Sequence, residues 1–410
     1  MAGVSEARPL LVYVHIPFCS SKCHFCDWVT EIPTAELLLR PADSPRRAYI
    51  AALCQEIRER GAELAGRGYR PEIMYWGGGT ASILAEHEIE QIGAALHEVF
   101  DLSSGMVEAT IECSPESLTA AKLAAFRQVG FRRWSSGVQS FDDRRLRRLG
   151  RSHDAGEARR AVELAAEAGF DDRSIDLICG LPGEDLDEVT ASVRAALELP
   201  VTHVALYPYR PAHGTVLRRQ VTRGTTAMLR SEQKAAYARG AAMLVEAGFP
   251  EYAMSHFGHR RCHSDMAYFQ LRMDWAGFGS GATSLIAGEY LAHRRGFLAA
   301  YNRDPLRFDE HYPAASPAIA SRLLYQSLTT FEGASRALWE ERTGVPLEEV
   351  LALGPCRHLL GFLERVAEVR RDAEGVRLRR DQVSDAFIDL QFAGIAAAGG
   401  DERRAAALLG

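Results

Sequence analysis

Lysine is almost missing from these 410 residues: Lys22, Lys122 and Lys234 are the only three, and Asn302 is the only asparagine. Arginine supplies the rest of the 48 basic residues, which reads as a codon bias and not as a functional signal. No apolar run approaches the ~20 residues that cross a bilayer, so no transmembrane helix and no membrane partner are expected. The opening MAGVSEARPLLVYVHIP lacks a basic stretch followed by an apolar one, so secretion is not expected and a cytoplasmic chain is. A net charge of −6 carries no basic surplus, so nucleic acid is not an expected partner. With 47% hydrophobic and 25% charged residues, the chain is neither disordered nor fibrous. Eight cysteines are too few and too scattered for a secreted disulfide framework. Three of them, Cys19, Cys23 and Cys26, crowd together, which points to metal or redox chemistry.

The first half alternates short apolar runs with helical patterns. Strands are expected at Leu10–Phe18, Glu72–Trp76, Val107–Cys113, Arg133–Gln139, Ser174–Leu181 and His203–Tyr209. The intervening segments show apolar residues at helical spacing. Strands alternating with helices imply a parallel sheet. The expectation is an α/β fold, a partial (β/α)6 TIM-type barrel over residues 1–210. Residues 211–315 read as a bridging segment, with one further strand at Glu251–Phe257 and a stretch over His259–Gly281 dense in His, Tyr, Phe, Trp and Gly. Residues 316–410 read as a small, mainly helical, winged-helix-like domain. A monomer is expected.

Cys19-x3-Cys23-x2-Cys26 follows the first strand, on the face where barrel sites are built. Three thiolates alone do not complete a tetrahedral zinc site. They can hold three irons of a 4Fe-4S cluster and leave the fourth iron open to the amino and carboxylate groups of S-adenosylmethionine (SAM). One electron from the cluster then cleaves the sulfonium to a 5′-deoxyadenosyl radical. A zinc knuckle completed by His15 or His24 is the alternative. Phe25 suits the adenine side of such a site. Gly77, Gly78, Gly79 and Thr80 follow the second strand, where glycines let a ligand approach backbone. Glu112, Gln139 and Asp176 end later strands, and Arg151 follows the fourth; carboxylates and Gln139 suit ribose hydroxyls, and Arg151 suits a carboxylate. Cys113 is a candidate proton donor or acceptor, beside Glu112. Cys54, Cys179 and Cys356 read as core. The run from Ser255 to His263 holds His256, His259, Cys262 and His263 at ligand-like spacing, as a pocket loop or a second metal site.

These segments together resemble the radical SAM superfamily, in the branch of oxygen-independent coproporphyrinogen III oxidase. The matching words are YVHIPFCSSKCHFCDW, YWGGGTAS, IECSPES, GVQSFDDRRLRRLGRSH, DLICGLPGE and HVALYPY, over residues 10–285. The resemblance implies a 4Fe-4S cluster on Cys19, Cys23 and Cys26 and two SAM molecules. It places Tyr13, the Gly77–Gly79 loop, Glu112, Gln139, Arg151 and Asp176 at binding positions, and makes 316–410 an accessory domain. An external electron donor of flavodoxin or ferredoxin type is implied.

Within the branch the departures guide the expected function. The porphyrinogen oxidase pattern has a fourth Cys where Trp28 stands. The HemW-type heme chaperone shares the Asp27-Trp28 continuation, but its His-Asn-x-x-Tyr motif is replaced by His263-Ser264-Asp265-Met266-Ala267-Tyr268. The third-strand Glu-x-Asn-Pro is Glu112-Cys113-Ser114-Pro115, and the Thr30–Arg47 insert is long. What remains is a class C radical methylase or cyclopropane-forming enzyme, with Glu112 and Cys113 as catalytic candidates. It would use a methylene radical from the second SAM on an sp2 carbon of a natural product. Heme chaperone and porphyrinogen oxidase stand as the second and third expectations.

Overall fold

The computed structural model describes residues 7–28, 45–223 and 227–398, with side chains to residue 393. Most of the Thr30–Arg47 insert therefore lies outside the described residues.

Strands β1 (Arg8–Ile16), β2 (Tyr69–Gly78), β3 (Glu108–Cys113), β4 (Arg133–Gln139), β5 (Asp172–Cys179) and β6 (His203–Pro208) pair in parallel, in chain order. Parallel neighbours need long crossovers, which here are helical. They are α1 (Pro45–Gly66), α2 (Glu86–Val99), α3 (Ala120–Val129), the pair α4 (Asp143–Arg148) and α5 (Ala155–Glu167), and α6 (Leu186–Leu197). Local sequence sets their starts. Asp154 with Glu157, and Asp185 with Glu188, form reciprocal capping boxes at α5 and α6.

The strands alternate with period two. Val12, Val14, Trp76, Ile111, Trp134, Ile175 and Val204 face the helices and build the main core. The residues between them face the lumen, and many are polar: Glu112, Arg133, Ser135, Asp176 and His203. The expected six-unit partial barrel is therefore present.

The chain beyond β6 departs from the expectation. Helices α7 (Val216–Thr222) and α8 (Arg230–Glu246) lead to β7 (Glu251–Ala253) and β8 (His256–Gly258). The single strand expected at Glu251–Phe257 is thus a tight hairpin, reversed at Ser255, whose φ is +73°. Strand β8 pairs antiparallel with β6. The aromatic-rich stretch 259–281 forms α9 (His263–Phe269) and β9 (Asp274–Phe278). Strand β9 runs parallel to β1 on the opposite edge and continues into β10 (Thr283–Ile286), β11 (Glu289–Ala292) and β12 (Glu310–Pro313). Among the described residues this makes one sheet of twelve strands.

The C-terminal part carries helices over Pro317–Leu328, Arg336–Thr343, Gly354–Val366 and Val383–Ala398, with a three-stranded antiparallel sheet. Its Leu324, Trp339, Leu360 and Phe387 share a second core with Trp275 and Leu285 of the bridging strands. Among the described residues no helix is long and apolar enough to cross a membrane.

Candidate functional site

Residues 17–28 leave β1 and lie over the C-terminal ends of the strands. Cys19 and Cys23 are buried and Cys26 is half-buried. Neighbouring loops hold the turn in place. The His24 N–H donates to the Leu149 carbonyl and its Nδ1 faces that of Arg148, each at 2.8 Å, while the Leu217 N–H donates to the His24 carbonyl at 3.1 Å. Phe25 is half-buried against Leu149, Leu181, Tyr209 and Leu217.

Each thiol has a polar neighbour. Cys19 Sγ lies 3.2 Å from Thr80 Oγ1, the Arg151 guanidinium donates to Cys23 Sγ at 3.4 Å, and the Trp28 N–H donates to Cys26 Sγ at 3.3 Å. Neither histidine proposed to complete a zinc knuckle is turned to these thiols. His15 Nδ1 meets the Tyr13 hydroxyl at 2.9 Å, and His24 is held by Arg148. Among the described residues no three Cys, His, Asp or Glu side chains converge on one point, as a single ion requires. Thiolates that each take a different iron need no common point, so the donor set fits a cluster.

The end of β2 presses directly on this turn. The Gly79 N–H donates to the Ile16 carbonyl at 2.7 Å, and a Cβ on Gly79 would stand 2.5 Å from the Phe18 carbonyl oxygen. Gly78 has φ +109°, and its N–H donates to Glu112 at 3.4 Å. A bulkier loop would close the space beside the cysteine turn that the sequence assigns to SAM. Arg151 is fixed by donation to Ser114 Oγ (2.6 Å) and the Gly137 carbonyl (2.9 Å), with Glu116 at 3.6 Å. Burial opposes ionisation of Glu116, but hydrogen bonds from His153 and Ser114 and the charge of Arg151 hold it well below the usual carboxylate range. Gln139 ends β4 with a left-handed φ of +70°.

Below this rim lies a polar cavity of about 100 Å3, with Glu112 and Asp176 toward the cluster end and Arg133, His203, His256 and Asp265 deeper. Burial pushes Glu112 up to about 7, against the Gly78 and Tyr75 donors. Burial, then the charge of Glu112, pushes Asp176 up to about 8. Burial holds His203 and His256 below the ordinary imidazole value, hence neutral. The floor is pinned by hydrogen bonds. His203 lies 2.8 Å from both Ser174 Oγ and the Tyr252 hydroxyl, and Glu108 accepts the His263 and Ser264 N–H groups at 2.8 and 3.1 Å.

The structure thus gathers Cys19, Cys23, Cys26, Gly77, Gly78, Gly79, Thr80, Glu112, Arg151 and Asp176 around one end of the barrel. Tyr13 lines the neighbouring wall, its ring stacked on Tyr75 at 6.0 Å. Cys113 is not brought in. It faces the helix layer beside Trp134, 4% exposed, and burial pushes its thiol up to about 12. Cys54, Cys179 and Cys356 are core residues, as expected. The run from Ser255 to His263 assembles no second metal centre among the described residues. Cys262 is buried at the floor, whereas His259 and His263 are exposed. Of the run read as a pocket loop, His256 does line the cavity; sequence reasoning missed Tyr75, Arg133, His203 and Asp265, although polar residues at every second strand position were a readable signal of a polar lumen.

A model of the Radical SAM superfamily matches residues 13–196. The heme chaperone HemW of Lactococcus lactis is 32% identical over 285 residues, covering 68% of this chain and 71% of its own length. HemW of Mycobacterium tuberculosis is 34% identical over 284 residues, covering 68% of this chain and 70% of its own. The structure of Escherichia coli coproporphyrinogen III oxidase, HemN, matches with a TM-score of 0.73 at 23% identity, over 95% of this chain and 91% of that one. That is a likeness of fold. The relatives overturn the expected natural-product methylase: the HemW proteins of Lactococcus lactis, Bacillus subtilis and Escherichia coli, all matched over two thirds of this chain, are heme chaperones. Superfamily membership implies a 4Fe-4S cluster and SAM, which the residues at the strand ends fit. With its HemN-like fold and its HemW relatives, the chain belongs to the radical SAM superfamily.

Proposed function

We propose that the protein is a heme-binding chaperone of the HemW kind, carrying a radical SAM site. The observation behind this reading is the 32% identity to HemW across two thirds of both chains. Trp28, in place of the oxidase's further cysteine, supports it. Cys19, Cys23 and Cys26 would hold the cluster, which supplies one electron toward the SAM sulfonium when both are bound. The Gly77–Gly79 backbone, Arg151, Glu112 and Asp176 would orient SAM, and Gly79 keeps the approach open. Glu112 and Asp176 exchange protons near neutral pH, so a cationic ligand would displace protons as it binds.

His263 is the iron ligand in this reading. Its imidazole is exposed, and its backbone N–H is fixed by Glu108. The displaced motif residue Tyr268 is turned inward, packed on Trp275 at 4.8 Å and bonded to Gln326 at 3.0 Å, so it does not join the ligand set. The test is titration of the reconstituted protein with heme. One heme per chain is expected, with binding weakened at least tenfold in His263→Ala. Absence of saturable binding, together with CO2 release from coproporphyrinogen III, would replace the chaperone by the oxidase. Equilibrium dialysis with labelled SAM counts the cofactor: two per chain are expected from the sequence resemblance, and one removes the second site.

A further inference from the structure

The SAM site needs an electron from outside, because no residue around the cysteines is a reductant. The surface beside the cysteine turn has a charge opposite to that of the whole chain. Three elements meet at His24: the turn itself, the end of α4 and the start of α7. Lys22, Arg144, Arg147, Arg148, Arg219 and Arg223 are exposed on them, in a protein of net charge −6. The exposed acids on these three elements are two, Asp142 and Asp143. Asp142 caps the Arg145 N–H at 2.7 Å, and Asp143 accepts the Ala155 N–H at 2.8 Å. Asp27 lies 4.0 Å from Arg210. Across the rim, Glu184 and Glu188 pair with Arg145, and the opposing exposed charges are Asp185, which caps α6, and Asp187. Cys26 is the most accessible of the three cysteines.

We propose that this arginine face is the docking surface for an acidic, low-potential, one-electron carrier protein. One electron leaves the carrier and enters the cluster held by Cys19, Cys23 and Cys26; no covalent bond forms or breaks in the transfer. Complementary charge raises the encounter rate and sets orientation, and salt screens it. The proposal rests on the cysteine turn and its neighbours, and is independent of what the protein does with heme.

The probe is a flavodoxin, an acidic flavin carrier. Calorimetric titration of the protein with oxidised flavodoxin should give an affinity that weakens with salt. Arg147→Glu with Arg148→Glu should weaken it about tenfold at low salt, the gap closing near ~0.5 M salt, where the screening length is only a few ångströms. The neutral pair Arg147→Gln with Arg148→Gln should fall between, and it guards against misfolding of the reversed pair. SAM cleavage driven by reduced flavodoxin should fall with binding, and cleavage driven by dithionite should not. Salt-independent binding, equal affinity of wild type and variants, or an equal loss with dithionite would each overturn the proposal.

Discussion

Arg151 touches a cysteine thiol, a serine hydroxyl, a backbone carbonyl and a carboxylate at once, so its guanidinium has little freedom left. Such a group is positioned before any ligand arrives, and a lysine cannot reproduce its fork. The cysteines are simpler to test. Cys19→Ala, Cys23→Ala and Cys26→Ala should each reduce bound iron and sulfide to background and abolish 5′-deoxyadenosine formation; retained cleavage in the triple variant would remove the cluster from this turn. The two lumen carboxyls carry a pH signature. Their protonation is favoured in the folded chain, at about 7 for Glu112 and about 8 for Asp176, against ~4 when unfolded. Groups raised in this way give stability that is present at acid pH and lost as pH climbs through the folded values. The melting temperature of the cofactor-free protein should fall by several degrees between about pH 4 and about pH 8. Glu112→Gln and Asp176→Asn should each flatten that slope.

Helix α1 shows what an element contributes beyond its own turns. Its Glu56, wholly buried, accepts from the Gly279 N–H (2.9 Å), Arg60 (3.2 Å), His293 (3.1 Å) and Tyr301 (2.7 Å). Arg60 also donates to the Gly277 carbonyl and to Ser284 Oγ, both at 2.7 Å. One helix thereby ties the end of β9 to the end of β1, whose His15 carbonyl accepts the Tyr49 hydroxyl at 2.5 Å. Removing one partner strands a buried charge, so Glu56→Ala should cost about 3–5 kcal/mol in denaturant unfolding. A loss below ~1 kcal/mol would mean that water replaces the carboxylate.

The sequence carried the elements unevenly for the same reason. Strands β1 to β6 and their helices were legible because each pattern is local: apolar alternation, a cap, a glycine turn. The cysteine turn was legible because its spacing is itself the chemistry. Strands β9 to β12 were not, since β9 pairs with β1 from over 200 residues away, β10 to β12 pair in turn onto it, and their runs are short. Cys113 looked catalytic beside Glu112, but adjacent strand residues face opposite sides, so one enters the lumen and the other the helix layer. Charged Glu56, Arg60 and Arg133 gave no hint of burial, because what buries them arrives from distant segments.

At the scale of the whole molecule, the two ends of the barrel hold different groups. The cysteine turn follows the C-terminal ends of the strands, whereas His263 is fixed to Glu108 at the start of β3. The five residue steps of β3 separate these levels by about 17 Å. A heme on His263 would lie beyond atom-transfer contact with a SAM molecule at the open iron. Cargo and cofactor would therefore bind as nearly independent events, with a coupling free energy close to zero. Saturating SAM should leave the heme dissociation constant unchanged within about twofold, and by reciprocity heme should leave that of SAM unchanged. A tenfold shift, about 1.4 kcal/mol of coupling, would require the strands between them to act as a two-state relay.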